Sequence, residues 1–218
     1  MEYKISNRKK LFNFNATFLI ILLNIICFFV FSALIYFNTS FINHVALMPS
    51  NIINNFYFWT FLTSMFMHGG FFHLFANMIS LMFVGNFVER LLGKKRFVFI
   101  YLLCGLFAGI IFVLSSLIWT SDFNTYAVGA SGALFGLIGI IMILTPNLPV
   151  YIMFIPIPIK MKYAAPGMLI LLWLISIAGN VPIGNTAHLG GFVLGLAYGF
   201  YLRKRYKNKT KYICKYFS

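Results

Sequence analysis

Residues 16–37 read ATFLIILLNIICFFVFSALIYF, an apolar run with no charged side chain. About 20 such residues in a helix, rising about 1.5 Å each, cross a hydrocarbon core of about 30 Å. The apolar positions run on without alternating, so a strand of a membrane barrel is excluded. Outward from this segment, five more spans are predicted at 72–88, 97–118, 131–145, 164–179 and 186–202. The last four contain Gly and Pro, which membrane helices tolerate. The 218-residue chain is 61% hydrophobic and 9% charged, with a mean hydropathy of +0.89. An all-α membrane protein follows: a bundle of six transmembrane helices over 16–202, a segment 1–15 before it, a basic tail 203–218 after it, and no separate soluble domain.

Charge tests this topology. Lys4, Arg8, Lys9 and Lys10 precede the first span, Arg90, Lys94, Lys95 and Arg96 follow the second, and Lys160 and Lys162 follow the fourth. The other seven, from Arg203 to Lys215, follow the sixth, so all 17 basic residues fall on one side. The positive-inside rule then predicts both termini to be cytoplasmic. The net charge of +14 sits in short juxtamembrane clusters suited to anionic headgroups, and no nucleic-acid partner is expected. The first apolar run lacks a small-x-small cleavage site, so it reads as a retained helix and not a signal peptide. Cys27 and Cys104 lie within spans and Cys214 in the tail, which supports neither a disulfide nor a thiolate metal site.

The acids are Glu2, Glu89 and Asp122. A His-Glu-x-x-His metalloprotease helix does not occur, and one Asp cannot form a carboxylate dyad. Transport needs polar groups along a path to the cytoplasmic side, whereas those here stop in the outer half. No metal or cofactor is expected.

What remains is a polar set on three spans that enter from outside. The second begins His73-Leu-Phe-Ala-Asn77, placing His73 and Asn77 on one helix face. The fourth begins at Ser131 within Gly129-Ala-Ser131-Gly132, and the sixth begins Ala187-His188. Small-xxx-small steps, Gly132/Gly136 on the fourth and Gly191/Gly195/Gly199 on the sixth, allow close helix contact in lipid. Were these ridges to meet, His188 would take the Ser131 proton as general base, with Phe135 one turn below to buttress the imidazole. The Ser131 backbone N–H, His73 and the Asn77 amide are candidate oxyanion donors. Taken singly, each residue has a packing explanation. His68 reads as a loop or structural residue, and His44 carries no functional signal.

From Trp59 to Gly199 the chain resembles the rhomboid intramembrane serine proteases. The resemblance rests on His73-x-x-x-Asn77, Gly129-Ala-Ser131-Gly132 and Ala187-His188-x-x-Gly191-x-x-x-Gly195, in that order. It implies Ser131 as nucleophile, His188 as base and Asn77 with His73 in the oxyanion hole, and His68 matches a further family histidine. Two departures stand out: Trp59-Thr60 replaces the usual Trp-Arg pair, and Phe135 replaces the commoner Tyr. The expected activity is cleavage of single-span membrane proteins near the external face, with lateral entry past the fifth span. The alternative is an inactive rhomboid-fold protein that binds membrane clients. The expected partners are those substrates and the bilayer. A prokaryotic plasma membrane is the expected location; the substrate and the oligomeric state are not legible.

Overall fold

The computed structural model describes residues 15–152, 156–179 and 183–217. The predicted segment 1–15, apart from Asn15, lies outside the described residues. Seven longer helices follow in order: α1 (Ala16–Phe37), α2 (Phe71–Leu92), α3 (Lys94–Ser116), α4 (Ser131–Leu144), α5 (Met161–Gly179), α6 (Asn185–Arg205) and α7 (Lys207–Tyr216). The protein is an all-α membrane protein. Each predicted span corresponds to one of α1 to α6. By length and composition α1, α2, α3 and α5 suffice to cross a membrane. Helix α4 is short at 14 residues. Helix α6 is long enough, but its glycines, Asn185, His188 and basic last turn dilute its apolar character.

Several boundaries differ from the expectation. Helix α2 runs four residues past 88, through a turn of π-helix at Leu81–Gly85. Gly93, with φ +82°, then reverses the chain directly into α3. Within the expected basic tail, residues 203–205 complete α6 and 207–216 form α7. Pro149–Val150 and Ile159–Lys160 form a short antiparallel pair, β1 and β2, in the loop between α4 and α5.

Helix α1 is held at its start. Asn15 caps it by accepting from the Phe18 N–H at 2.9 Å. The Glu89 carboxylate of α2 accepts from the N–H groups of Ala16 and Thr17 at 2.7 and 2.8 Å, and from the Thr17 hydroxyl at 2.7 Å. A carboxylate thus satisfies donors that a helix start leaves open, at the positive end of its dipole.

Helix α4 is the centre of the bundle. From Gly132 to Leu144 every residue but Met142 is buried, packed chiefly by α3 and α6. The glycine ridges serve two faces. A Cβ at Gly191 or Gly195 of α6 would collide with the carbonyl oxygen of Gly132 or Gly136 respectively, so α6 glycines admit α4 main chain. The sides of Gly132 and Gly136 where a Cβ would project are instead filled by Ala108 and Cys104 of α3.

Residues 38–70 fold into short helices, at Ile42–Val45, Pro49–Asn55 and Thr60–Thr63. Trp59 stacks on Tyr57 at 4.8 Å, and its indole N–H donates to the His44 carbonyl at 2.9 Å. Thr60 is fully buried, its hydroxyl donating to the Tyr57 carbonyl at 2.6 Å. The region grips the strand-like approach to α4. Leu47 and Ala127 exchange backbone hydrogen bonds of 3.2 and 2.8 Å, and the Tyr126 hydroxyl donates to Asn43 Oδ1 at 2.7 Å.

Candidate active site

The main-chain seam between α4 and α6 brings together residues far apart in sequence. Ser131 Oγ lies 2.7 Å from His188 Nε2, a hydrogen-bond distance. His188 is buried, and its ring stands 4.8 Å from that of Phe135, tilted by 32°. Its Nδ1 is buried without a hydrogen-bond partner in this structure. The arrangement is a pair: a serine and an imidazole, with Phe135 packed against the imidazole ring.

Ser131 opens α4. The Leu134 N–H donates to the Ala130 carbonyl, the first bond of the helix, so the N–H groups of Ser131, Gly132 and Ala133 precede the repeating pattern. Gly129, two residues earlier, has φ +112°, a conformation that favours glycine. A Cβ there would sit 2.8 Å from His73 Cε1 and Nε2 and 3.8 Å from Asn77 Nδ2. His73 and Asn77 therefore lie against the turn that presents Ser131. The Gly129 N–H donates to the Ser64 carbonyl at 2.9 Å.

Asn77 Nδ2 donates one hydrogen to the His73 carbonyl at 2.9 Å, leaving a second. His73 Nδ1 accepts from the Gly69 N–H at 3.4 Å. That bond favours the neutral tautomer with its proton on Nε2, which with Cε1 is the part of the ring against Gly129. His68 packs edge-on to His73 with ring centroids 5.1 Å apart, and both its ring nitrogens are buried. Burial first, and His73 second, push the His68 imidazole down to about 4.

Sequence reasoning missed two supports. One is Ser64, whose carbonyl fixes Gly129. The other is a hydroxyl pair, Ser115 Oγ and Thr186 Oγ1, 2.9 Å apart, which ties α3 to the first turn of α6 two residues before His188. Isolated hydroxyls at helix ends carry no pattern that would single them out. Among the described residues no group of three or more His, Cys, Asp or Glu is placed to hold a metal ion.

Comparison with known proteins identifies the family. The rhomboid domain family model matches residues 55–205, and the chain belongs to that family. RHOMBOID-like protein 5 of Arabidopsis thaliana is 37% identical over 150 residues, 67% of this chain and 45% of that protein. Rhomboid protein 1, mitochondrial, of Saccharomyces cerevisiae is 31% identical over 154 residues, 65% of this chain and 41% of its own length. Inactive RHOMBOID-like protein 8 of Arabidopsis thaliana is 33% identical over 138 residues, 62% of this chain and 35% of that protein. The chain spans less than half the length of each of these relatives. All three are eukaryotic and one is mitochondrial by name, so they lend no support to a prokaryotic plasma membrane.

Proposed function

We propose that this protein is an intramembrane serine endopeptidase that cleaves membrane-anchored proteins near the external face by a Ser131–His188 dyad. The observation that carries this is the 2.7 Å contact between Ser131 Oγ and His188 Nε2. With its proton on Nδ1, His188 presents the Nε2 lone pair to the serine hydroxyl. As Oγ attacks the substrate carbonyl carbon, Nε2 takes the hydroxyl proton. The carbonyl oxygen becomes an oxyanion received by the Ser131 N–H, the free Asn77 amide hydrogen and His73 Nε2–H. Collapse of this intermediate breaks the C–N bond, and His188 protonates the leaving amine. Water, deprotonated by the same imidazole, then hydrolyses the ester to acid and free Ser131.

A helical substrate hides its carbonyls in its own hydrogen bonds, so small or helix-breaking residues are expected around the scissile bond. One relative is named inactive, so family membership leaves activity open between a protease and a client-binding protein. Cleavage of a single-span reporter by purified protein decides between them. Ser131→Ala and His188→Ala should each lower the rate at least about a thousandfold, and wild type alone should be labelled by a fluorophosphonate. Undiminished cleavage by Ser131→Ala overturns the dyad. A folded wild type that neither cleaves nor labels supports the client-binding reading.

A further inference from the structure

Helix α6 has a second side, turned away from the seam with α4. Val193, Ala197, Phe200, Lys204 and Lys207 are all exposed. The first four, spaced by four, three and four residues, form one stripe along α6, and Lys207 at the start of α7 continues it where the two share a cleft. The stripe is apolar over its first three members and cationic over its last two. At the junction Phe200, Arg203, Lys204 and Lys207 line an open cleft of about 420 Å³. Reading down the stripe, the surface passes from hydrocarbon-like to positively charged within one helical turn.

The α7 side of the cleft is fixed because α7 and its two flanking residues are held to the bundle at three points. At the bend between α6 and α7, the Tyr206 hydroxyl accepts from Arg96 of α3 at 3.1 Å. Along α7, the Cys214 thiol donates to the Leu144 carbonyl at the end of α4, at 2.9 Å. Just beyond α7, the Phe217 ring meets Phe87 of α2 edge-on at 5.6 Å. Thr210, Ile213, Cys214 and Phe217 are the less exposed positions, whereas Lys207, Lys209 and Lys211 are exposed. No acid lies in α6 or α7, so the cations at the cleft have no carboxylate on their own elements to neutralise them.

We infer that this stripe and cleft bind one anionic glycerophospholipid, its acyl chain along Val193, Ala197 and Phe200 and its headgroup phosphate at Arg203, Lys204 and Lys207. Charge complementarity selects the occupant. Cations directly below an apolar stripe match a molecule whose negative charge is joined directly to hydrocarbon, and basic clusters beside a membrane helix attract such lipids. A soluble phosphate would use the cations but leave the apolar stripe without a role, and a zwitterionic lipid would use the stripe but cancel the charge.

The test is native mass spectrometry of the detergent-purified full chain, titrated with phosphatidylglycerol or phosphatidylcholine. Wild type should retain a first phosphatidylglycerol at least about tenfold more tightly than phosphatidylcholine. Removing the three cations (Arg203→Gln, Lys204→Gln and Lys207→Gln together) should abolish that preference without changing phosphatidylcholine retention, which reports that the apolar surface is intact. Phe200→Ala should weaken retention of both lipids severalfold. Lys209→Gln with Lys211→Gln removes charge elsewhere on α7 and should change nothing. Equal retention of the two lipids by wild type overturns the inference. So does an equal loss in the Lys209/Lys211 variant, which would mean diffuse attraction, or displacement of the lipid by millimolar inorganic phosphate, which would mean a bare anion site.

Discussion

At Gly129 the conformation of one residue governs the site. Its φ of +112° and the 2.8 Å approach of the His73 ring leave no place for a Cβ. Gly129→Ala should therefore displace His73 or twist the turn, at about 1–3 kcal/mol. On the proposed mechanism reporter cleavage should fall at least tenfold while fluorophosphonate labelling of Ser131 falls less, because the loss concerns the proposed oxyanion donors more than the proposed nucleophile. That Ser131, His188, His73 and Asn77 gather into one candidate site was legible because chemistry restricts which side chains can act, and in this chain few candidates compete. The role of Gly129 was legible only as a motif position, since a positive φ leaves no mark on composition. Ser64 acts through its backbone carbonyl, which every residue possesses, and so was not legible at all.

Between elements, the α4–α6 seam is main chain against main chain. At Gly191 a Cβ would strike the Gly132 carbonyl, and no side-chain rotation relieves it. Gly191→Ala should push the helices apart, abolish cleavage and lower stability by about 1–3 kcal/mol. Gly167 of α5 has nothing within 4 Å of its would-be Cβ. Gly167→Ala should leave activity intact and raise stability by up to about 1 kcal/mol, since alanine suits a helix interior better than glycine. At the other end of the bundle, Glu89→Ala strips three hydrogen bonds from the start of α1 and should cost about 1–2 kcal/mol, read as faster amide exchange in the first turn of that helix. Apolar length revealed the helices, but it could not reveal their partners. The dual use of Gly132 and Gly136, toward α3 as well as α6, depends on which way each carbonyl and each absent side chain points. The short helices of residues 38–70 escaped for a different reason: they are fixed by contacts to the segment before α4 and are too brief to show a period. Helix α7 was hidden by its lysines, which read as a tail until the bundle supplied a surface for Thr210, Ile213 and Phe217.

For the molecule as a whole, buried His68 makes stability depend on pH. Its folded value of about 4 lies below the ordinary 6.5, so between these values the unfolded chain binds a proton that the folded one refuses. Stability should be constant above about pH 6.5 and fall as pH drops toward 4, by no more than about 3 kcal/mol from this residue. Thermal unfolding at pH 5 and pH 7.5 measures the difference, and His68→Gln should shrink it. The central burial of α4 bears on how the protein is made. Ser131 and His188 are 57 residues apart, and α4 has almost no surface of its own to offer to lipid. A nascent chain that has released α4 but not α6 holds a serine with no base beside it and a helix with one flank bare. On the proposed mechanism such a chain is inert, so the ribosome and the insertion machinery never handle an active protease. On that mechanism activity begins when α6 docks, which makes completion of the fold its own zymogen control.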